Sequence, residues 1–313
     1  MNQNQDHHLA GFFLSLTAAV LWGMLPVALK EILSGMDAGT VVWYRFLVAG
    51  VVLWLWMARG GNLPKFLSAS RAIQVAMLFA AAGLCANYFL FSYSLNFVNG
   101  ETSEAVIQLT TLFLILGGVI IYREPFVAVQ KLGTLLIVGG LVLFFHDRFV
   151  ELADLGSDQT IGVLIVVGAA VTWTVYALLQ KQLLAEFSSA QILFMIYLFS
   201  VVVLLPFVNM GALFGLNRLQ LALLVFCCLN TLVAYGCFAE AINLWDASKV
   251  SAVLALAPLF TISTLKLVVY VNPEYAFSDR LSLLSILGAL LLVIGSVLTA
   301  LVPVLQQRRR SVG

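Results

Sequence analysis

The chain has 313 residues, of which 62% are hydrophobic and only 10% are charged, and its formal net charge at pH 7 is +1. A soluble domain of average composition is about one quarter charged, so this chain has too few charges to cover a water-facing surface, and lipid must surround most of it. The near-neutral charge gives no support to a nucleic-acid partner.

Ten apolar segments follow one another along the chain. Each is long enough to cross a membrane, which takes about 20 residues because backbone groups cannot stay unpaired in lipid. We number these segments spans 1 to 10, and the fold that they predict is an all-α polytopic membrane protein with ten transmembrane helices. The spans cover residues 9–29, 39–58, 73–95, 102–122, 127–146, 160–180, 190–210, 219–241, 248–271 and 281–303.

The connections between the spans indicate the orientation of the chain, because lysine and arginine in short connections prefer the cytoplasm. With the N-terminus inside, ten of these residues fall in cytoplasmic segments and four fall in outer connections. The acidic connection at 147–160 then lies outside. We therefore predict that both termini are cytoplasmic and that the protein lies in the cell inner membrane.

Span 1 contains AAVLWGMLPVALK at residues 18–30, and span 6 repeats much of this pattern as AAVTWTVYALLQK at residues 169–181. Three further pairs of segments match in the same order along the chain. They predict an internal duplication, with one repeat in residues 1–150 and the other in residues 151–313. The further pairs are CAN at 85–87 with CLN at 228–230, AVIQLTTLF at 105–113 with AVLALAPLF at 252–260, and GTLLIVGGLVL at 133–143 with GALLLVIGSVL at 288–298.

Each predicted repeat has five spans, and this odd number has a consequence for the topology. The second repeat must cross the membrane in the opposite direction to the first, which makes the fold a pair of inverted-topology five-helix repeats. Such repeats are typical of secondary transporters, whose substrate binds between the halves near the bilayer midplane. A duplication could also produce only a helical bundle, as in a channel or a membrane-embedded enzyme, but the pattern favours transport.

Several motifs along the chain are similar to those of one transporter family. Span 1 has small residues before Trp22, and span 2 has WYRFLVAG around Arg45. In ASKVSAVLALAPLFT at 247–261, a run of small residues comes before Pro258. The chain resembles the drug/metabolite transporter superfamily, specifically its EamA-type members with ten helices and two repeats. The longest matching stretch is YREPFVAVQKLGTLLIVGGLVL at 122–143, with Glu124, Gln130, Gly133 and Gly140 at the family's spacing.

One connection departs from this pattern. YVNPEYAFSDR, between spans 9 and 10, is longer than its counterpart between spans 4 and 5, and it is expected to have no clear equivalent of Arg123–Glu124.

Polar and aromatic residues inside the spans are the candidates for a substrate cavity, because polar groups in lipid are costly and usually face a cavity or a partner. On span 6, Trp173, Tyr176 and Gln180 lie on one helical face. The aromatic residues could equally serve packing or a headgroup belt. The complete candidate set, which includes one repeat-equivalent tryptophan pair and one asparagine pair, is Trp22, Arg45, Asn87, Tyr88, Gln108, Trp173, Tyr176, Gln180, Asn230 and Tyr235.

Each charged residue inside a span could have one of two roles. Arg45 could contact an anion or carboxylate, or it could extend to the interface or cap helix carbonyls. The resemblance favours a structural role, since family members with unlike substrates share this arginine. Glu240 could pair with Lys249 or carry a proton as a coupling residue. Glu101 and Glu104, at the outer start of span 4, are expected to meet water.

Spans 5 and 10 carry almost no polar groups but several glycines, which favour close helix packing. We expect these spans to form a scaffold or the face of a possible homodimer. The glycines are Gly133, Gly139, Gly140, Gly288 and Gly295.

The leading hypothesis for function is a secondary transporter that works by alternating access. It would move a small organic metabolite, such as an amino acid or an amphipathic aromatic compound, outward across the inner membrane. One alternative is a carrier or flippase for lipid-linked or nucleotide-linked sugars. A membrane-embedded enzyme is a remote alternative, because the sequence has no cluster of acid/base residues. We therefore expect no catalytic residue, no metal site and no cofactor. The expected partners are a small-molecule substrate and membrane lipid.

Overall fold

The computed structural model describes residues 3–123, 126–245 and 247–310, and the regular structure in these ranges is helical. Three short 3-10 turns accompany thirteen α-helices. The α-helices are α1 (Gln3–Ile32), α2 (Ala38–Gly60), α3 (Arg71–Ser94), α4 (Gly100–Ile107), α5 (Leu109–Ile121), α6 (Ala128–Phe144), α7 (Phe149–Ala153), α8 (Asp158–Leu183), α9 (Ser189–Leu204), α10 (Arg218–Leu244), α11 (Ala247–Leu254), α12 (Ala257–Val271) and α13 (Leu283–Arg310).

The predicted membrane fold is confirmed. Within the described ranges, nine helical segments are long and apolar enough to cross a membrane, and α6 is a tenth, shorter apolar helix. Span 4 consists of α4 followed by α5, and span 9 consists of α11 followed by α12. Span 7 consists of α9 and the 3-10 turn that follows it, and each remaining span is one α-helix. The short helix α7 lies in the connection between spans 5 and 6. The predicted repeat boundary at residue 150 falls within α7 and stays a prediction.

Helix starts follow local capping chemistry. Asp37 accepts a hydrogen bond from the Thr40 backbone N–H at the start of α2, and Ser157 does the same for Thr160 at the start of α8. Such side chains satisfy backbone donors that the first helical turn leaves free. At the other end of α2, Gly61 adopts a left-handed conformation with a φ of 65°, which ends the helix. The spans are therefore delimited by short polar connections.

The two repeats pack through each other and do not form separate bodies. Helix α1 packs against α10, and its repeat equivalent α8 packs against α3. The pairs α2 with α9 and α6 with α13 each join equivalent helices of the two repeats. As a result, the centre of the molecule is lined by helices from both halves, as expected for inverted repeats.

Glycines set the distance between α6 and α13. A Cβ atom at Gly133 would lie 2.7 Å from the Gly295 carbonyl oxygen, and one at Gly140 would lie 2.8 Å from the Gly288 carbonyl oxygen. Only glycine fits at such a close backbone approach. The predicted packing role is confirmed for these four glycines. It is wrong for Gly139, because a Cβ atom there would have no neighbour within 4 Å.

We call the membrane face at which α1 ends the outer side, following the orientation predicted from the charges, and the opposite face the inner side. The connections after α5 and α12 share one backbone feature, since Arg123 has a φ of 53° and Arg280 a φ of 48°. This shared conformation leaves untested the expectation that the second connection has no clear equivalent of Arg123–Glu124. Glu124 itself lies outside the described residues.

Candidate functional site at the repeat interface

Two broken helices approach the centre of the protein, one from each repeat. The first break lies at Gln108, between α4 and α5, and the second at residues 255–256, between α11 and α12. In the aligned repeats Leu109 corresponds to Leu256, so the breaks occupy equivalent positions. The backbone N–H of Thr111 bonds to the Gln108 carbonyl, and that of Leu259 bonds to the Leu256 carbonyl. Transporters use such discontinuous helices to line their binding sites.

Pro258 explains the second break. It lies in the first turn of α12 and has no N–H to donate to the preceding turn, so the helix ladder stops there. The first break has no proline, and Gln108 itself forms the junction. The Gln108 side chain is buried and accepts a hydrogen bond of 3.2 Å from the Ser296 hydroxyl of α13.

Arg45 is the central charged residue of the candidate site. Its side chain is only 2% exposed, so it does not extend to the membrane interface. Its Nε donates to the Thr231 hydroxyl of α10 at 3.0 Å, and its guanidinium carbon lies 4.7 Å from the ring centroid of Tyr88. A cation from the first repeat is thereby held against a hydroxyl of the second repeat and an aromatic face.

The charge of Arg45 has no protein counter-ion in the described part of the chain. No carboxylate there lies within ion-pair distance of its guanidinium group, and Thr231 is its one hydrogen-bond partner. A guanidinium group has five N–H donors in a planar fork that matches a carboxylate. The remaining donors of Arg45 can therefore be used by a bound anion.

Aromatic rings from both repeats surround this guanidinium group, and we call them with Arg45 the aromatic cluster. The rings of Tyr88 and Tyr235 stack with centroids 6.4 Å apart, and Trp22 meets Tyr235 edge-to-face at 5.2 Å. The cluster consists of Trp22, Arg45, Phe46, Tyr88, Tyr197, Tyr235 and Phe238. It combines one cation with apolar ring surface, a surface suited to an anion that has an apolar body.

Phe46 and Tyr197 mark the symmetry of this cluster. Their rings stack at 5.3 Å, with 24° between the ring planes. The two residue numbers differ by 151, which is the offset that relates residues 18–30 to 169–181. Sequence reasoning missed both residues, and the same offset applied to span 2 would have paired them. It also missed Thr231, which the offset that pairs CAN at 85–87 with CLN at 228–230 makes the repeat equivalent of Tyr88, and Phe238, for which the repeat pattern gives no signal.

The predicted asparagine pair connects helices of opposite repeats. The side-chain amide of Asn87 on α3 donates to the Ala169 carbonyl of α8 at 2.9 Å, and that of Asn230 on α10 donates to the Leu21 carbonyl of α1. The amide oxygen of Asn230 is buried and has no hydrogen-bond partner. Both asparagines thus hold the helix pairs together, and a role in substrate binding stays a prediction.

The other predicted site residues divide between the core beside the cluster and more distant positions. Tyr176 is buried in the same core of α2, α3, α8 and α9 as Tyr88 of the cluster, and Trp173 and Tyr235 pack against that core. Gln180 is half-buried near the inner end of α8. Gln108 contacts α13, as described above. The structure therefore brings Trp22, Arg45, Tyr88 and Tyr235 into one cluster. Tyr176 and Trp173 lie in the core that contains part of this cluster, whereas Gln108 and Gln180 lie elsewhere.

Three acidic residues differ in their exposure to solvent. Glu240, the predicted coupling residue, is exposed on α10. The expectation that Glu101 and Glu104 meet water is wrong, because their side chains are only 3% and 7% exposed. The connection between α12 and α13 packs over the start of α4, where Ser278 donates to a Glu101 carboxylate oxygen at 2.7 Å.

Polar residues of both repeats meet at the outer side, and we call Asn99, Thr102, Arg148 and Asp279 the outer cluster. Asp279 receives hydrogen bonds from Asn99, at 3.1 Å, and from the hydroxyl of Thr102, at 2.6 Å. Arg148 pairs with the same carboxylate at 3.4 Å. Asp279 belongs to the second repeat and its partners to the first, so this cluster joins the halves at the outer side.

Tyr275 adds a second contact in the same connection. Its phenol lies near the carboxylates of Glu31, at the end of α1, and of Glu101. Burial, together with the nearby carboxylates of Glu31 and Glu101, raises the pKa of Tyr275 to about 12. The phenol therefore stays protonated at physiological pH.

An open cavity of about 540 Å³ lies at the outer side, between the ends of α1 and α3 and the start of α2. Phe89 and Tyr93 line it, and their rings stack at 5.6 Å with an interplanar angle of 7°. Phe89 directly follows Tyr88 of the aromatic cluster along α3. The cavity thus lies on the outer side of the helix that carries the cluster.

Comparison with known proteins agrees with the repeat architecture. The model of the EamA-like transporter family matches residues 9–146 and 160–301, one match in each half of the chain. A protein of Haemophilus influenzae named "Uncharacterized transporter" is 40% identical over 293 residues, which are 94% of this chain and 95% of the relative. An Escherichia coli K12 protein named "Uncharacterized inner membrane transporter YhbE" is 38% identical over 93% of this chain and 91% of its own length.

One solved crystal structure is similar in fold. It aligns with a TM-score of 0.63 and covers 95% of this chain and 98% of its own. The two sequences are 18% identical, so this likeness concerns the fold alone.

Proposed function

Because this chain belongs to the EamA-like transporter family, we propose that it is a secondary transporter for a small organic metabolite that bears a carboxylate and an apolar or aromatic body, such as an amino acid. The chain is a multi-pass membrane transporter. In our proposal it exports this substrate across the inner membrane by alternating access, with both termini in the cytoplasm.

The buried guanidinium group of Arg45 is the observation that carries the proposal. A buried charge without a counter-ion is costly, and an anionic substrate that supplies one recovers part of this cost. Arginine binds carboxylates through two parallel hydrogen bonds, which gives orientation as well as affinity. We infer that the substrate carboxylate binds the free N–H groups of Arg45 and that its apolar body packs on Tyr88 and Tyr235.

Alternating access is supported by the position of this site between inverted repeats. Trp22 and Tyr235 belong to different repeats, as do Arg45 and Thr231. A rearrangement of one repeat against the other would therefore change contacts on both sides of a bound molecule. Inverted repeats make inward-open and outward-open states similar in structure, and the equivalent breaks in spans 4 and 9 provide flexible points.

The alternative, a carrier of lipid-linked or nucleotide-linked sugars, fits the site less well. A phosphate or pyrophosphate group carries more charge than one carboxylate and is usually bound by several cationic side chains. The aromatic cluster contributes only Arg45, whereas Lys266 lies on the exposed side of α12. Among the described residues that form this cluster, the balance of one cation and six rings favours a monoanion.

Comparing a deletion strain with an overexpressing strain tests this proposal in cells. Amino acids and aromatic acids are measured by mass spectrometry in the medium and inside the cells. We expect at least one carboxylate-bearing compound to rise in the medium on overexpression and to accumulate inside the deletion strain. The Arg45→Lys variant, expressed at the same level, should fail to restore export. Unchanged levels of all carboxylate compounds in both strains would contradict the proposal.

A further inference from the structure

Another cavity, of about 280 Å³, lies at the outer side between the start of α4, the outer half of α12 and the connection that joins α12 to α13. One acidic and two basic side chains line it, Glu101, Lys266 and Arg280, together with Ser278 and apolar groups. No residue of the aromatic cluster is part of this lining. The charges in this cavity therefore belong to a site other than the one proposed for the substrate.

Glu101 contributes a carboxylate of which only one oxygen is satisfied. Its side chain is 3% exposed, and its Oε1 accepts from the Ser278 hydroxyl at 2.7 Å and from the Asp279 backbone N–H at 3.3 Å. Its Oε2 is buried and has no hydrogen-bond partner. Because buried polar atoms are costly when unpaired, Oε2 is the atom that remains for a ligand with an N–H donor.

Lys266 and Arg280 are cations without a counter-ion among the residues that the structure describes. No carboxylate there lies within ion-pair distance of either one, and the Arg280 side chain donates only to the Pro273 carbonyl, at 2.8 Å. Glu101 lines the same cavity and still does not pair with them, so the cavity keeps opposite charges apart. A ligand that satisfies all three groups has an anionic group for the two cations and an ammonium group for the carboxylate.

The cavity adjoins a helix surface that faces lipid. Lys266 is exposed and precedes the outer end of α12 by five residues, about 7–8 Å along the helix axis. Leu267 and Tyr270, on the same stretch of α12, are 64% and 85% exposed. Lysine side chains near the end of a membrane helix extend toward the lipid headgroups. A phospholipid can therefore place its phosphate at Lys266 while its acyl chains run along the apolar side chains of α12.

We propose that this cavity binds the headgroup of a zwitterionic phospholipid, with its phosphate at Lys266 and Arg280 and its ammonium group at Oε2 of Glu101. A primary ammonium group has the N–H donors that this oxygen lacks, which is the chemistry of phosphatidylethanolamine, whereas the trimethylated group of a choline lipid has none. Glu101 belongs to the first repeat and the two cations to the second, so the bound headgroup joins the halves beside the outer cluster. The inference goes beyond the proposed function, because this lipid stays bound and is not the transported substrate.

Native mass spectrometry of the purified, delipidated full-length protein tests the headgroup preference. Phosphatidylethanolamine, phosphatidylcholine and phosphatidylglycerol with the same acyl chains are added in turn. We expect the ethanolamine lipid to occupy one site about tenfold more tightly than the choline lipid, the factor that corresponds to one charge-assisted hydrogen bond. Equal affinity for the ethanolamine and choline lipids, or tighter binding of the glycerol lipid, would overturn the proposal.

Two variants assign the preference to this cavity. Glu101→Gln should lose it, because Ser278 and the Asp279 N–H hold the amide oxygen and the amide NH2 then replaces Oε2 with a donor. Lys266→Met should weaken binding of both the ethanolamine and the choline lipid, since both carry the phosphate. Lys131→Met is the matched control, an exposed lysine of α6 at the inner side, and should bind as the wild type does.

The variants also give results that would overturn the proposal. These are unchanged lipid affinity in Lys266→Met and an ethanolamine preference that survives in Glu101→Gln. Thermal unfolding shows whether each variant is folded. If Glu101→Gln does not fold, Lys266→Met decides alone, because its side chain is exposed and methionine removes the charge without disturbing packing.

Two soluble zwitterions distinguish a lipid from a free ligand with the same charges. Glycerophosphoethanolamine carries the headgroup without acyl chains, and L-phenylalanine carries an ammonium group and a carboxylate. Neither should displace the ethanolamine lipid at equal concentration, because the acyl chains on α12 contribute to its affinity. Displacement by glycerophosphoethanolamine would overturn the lipid as occupant, and displacement by L-phenylalanine would assign the cavity to the substrate instead. Both outcomes leave the proposed transport function standing, since that function depends on binding at Arg45.

Discussion

The guanidinium carbon of Arg45 lies 4.7 Å from the ring centroid of Tyr88, and Tyr88 in turn stacks on Tyr235 of the other repeat. A buried cation therefore rests on aromatic surface at the boundary between two inverted halves. This arrangement is a consequence of the duplication, because helices α2, α3 and α10 meet only when the repeats interlock.

Replacing Arg45 by lysine should reduce affinity for a carboxylate substrate by about tenfold or more, since lysine cannot form two parallel hydrogen bonds. Isothermal titration calorimetry on the purified protein measures this. Thr231→Val is the matched control. It removes the acceptor of Arg45 Nε but keeps the cation, and should cost about tenfold at most. If Arg45→Lys lowers thermal stability and leaves affinity unchanged, Arg45 is structural.

Tyr235 should contribute through its ring and not only through its hydroxyl. Tyr235→Leu loses the edge-to-face contact with Trp22 and the stack on Tyr88, and such aromatic pairs contribute about 0.5–1.5 kcal/mol each. Tyr235→Phe keeps the ring. We expect the leucine variant to bind aromatic substrates more weakly than the phenylalanine variant does. Equal affinity of the two variants would argue against ring contact with the substrate.

The span count and the inversion could be predicted from the sequence, because hydropathy and duplication record them directly. The burial of Glu104 could not, since it depends on how the connection between α12 and α13 folds over the start of α4. Hydropathy places a residue along a span but does not show what covers it. For the same reason the sequence placed Gln108 with the cavity candidates, whereas its hydrogen bond to Ser296 directs it toward α13.

Two adjacent glycines of α6 offer a matched test of packing. Gly140→Ala places a methyl group 2.8 Å from the Gly288 carbonyl oxygen, and we expect a loss of about 1–3 kcal/mol in the free energy of unfolding. Gly139→Ala meets no atom within 4 Å, so it should be neutral or slightly stabilising. Thermal unfolding in detergent compares the two variants. Equal midpoints would show that α6 and α13 do not approach as closely as described.

The outer cluster should stabilise the folded protein through Asp279. Asp279→Asn leaves Arg148 without its buried counter-charge, and loss of one partner of a buried pair costs about 3–5 kcal/mol. Asp147→Asn is the control, because Asp147 is half exposed and lies 3.9 Å from the same arginine, where a pair contributes about 0–1 kcal/mol. Unfolding midpoints measure both effects. A larger loss in Asp147→Asn would contradict the assigned pairing.

Counterflow in proteoliposomes tests the central claim, that a substrate carboxylate binds at Arg45 during transport. Vesicles loaded with unlabelled L-phenylalanine are diluted into labelled L-phenylalanine, with parallel vesicles for other amino acids and aromatic acids. The account predicts transient accumulation of at least one labelled carboxylate compound. Carboxylate-bearing analogues of this compound should compete with it, whereas the corresponding amine that lacks the carboxylate should not. The Arg45→Lys variant should show no accumulation. Equal competition by the decarboxylated amine, or no counterflow above protein-free vesicles for any carboxylate compound, would contradict it.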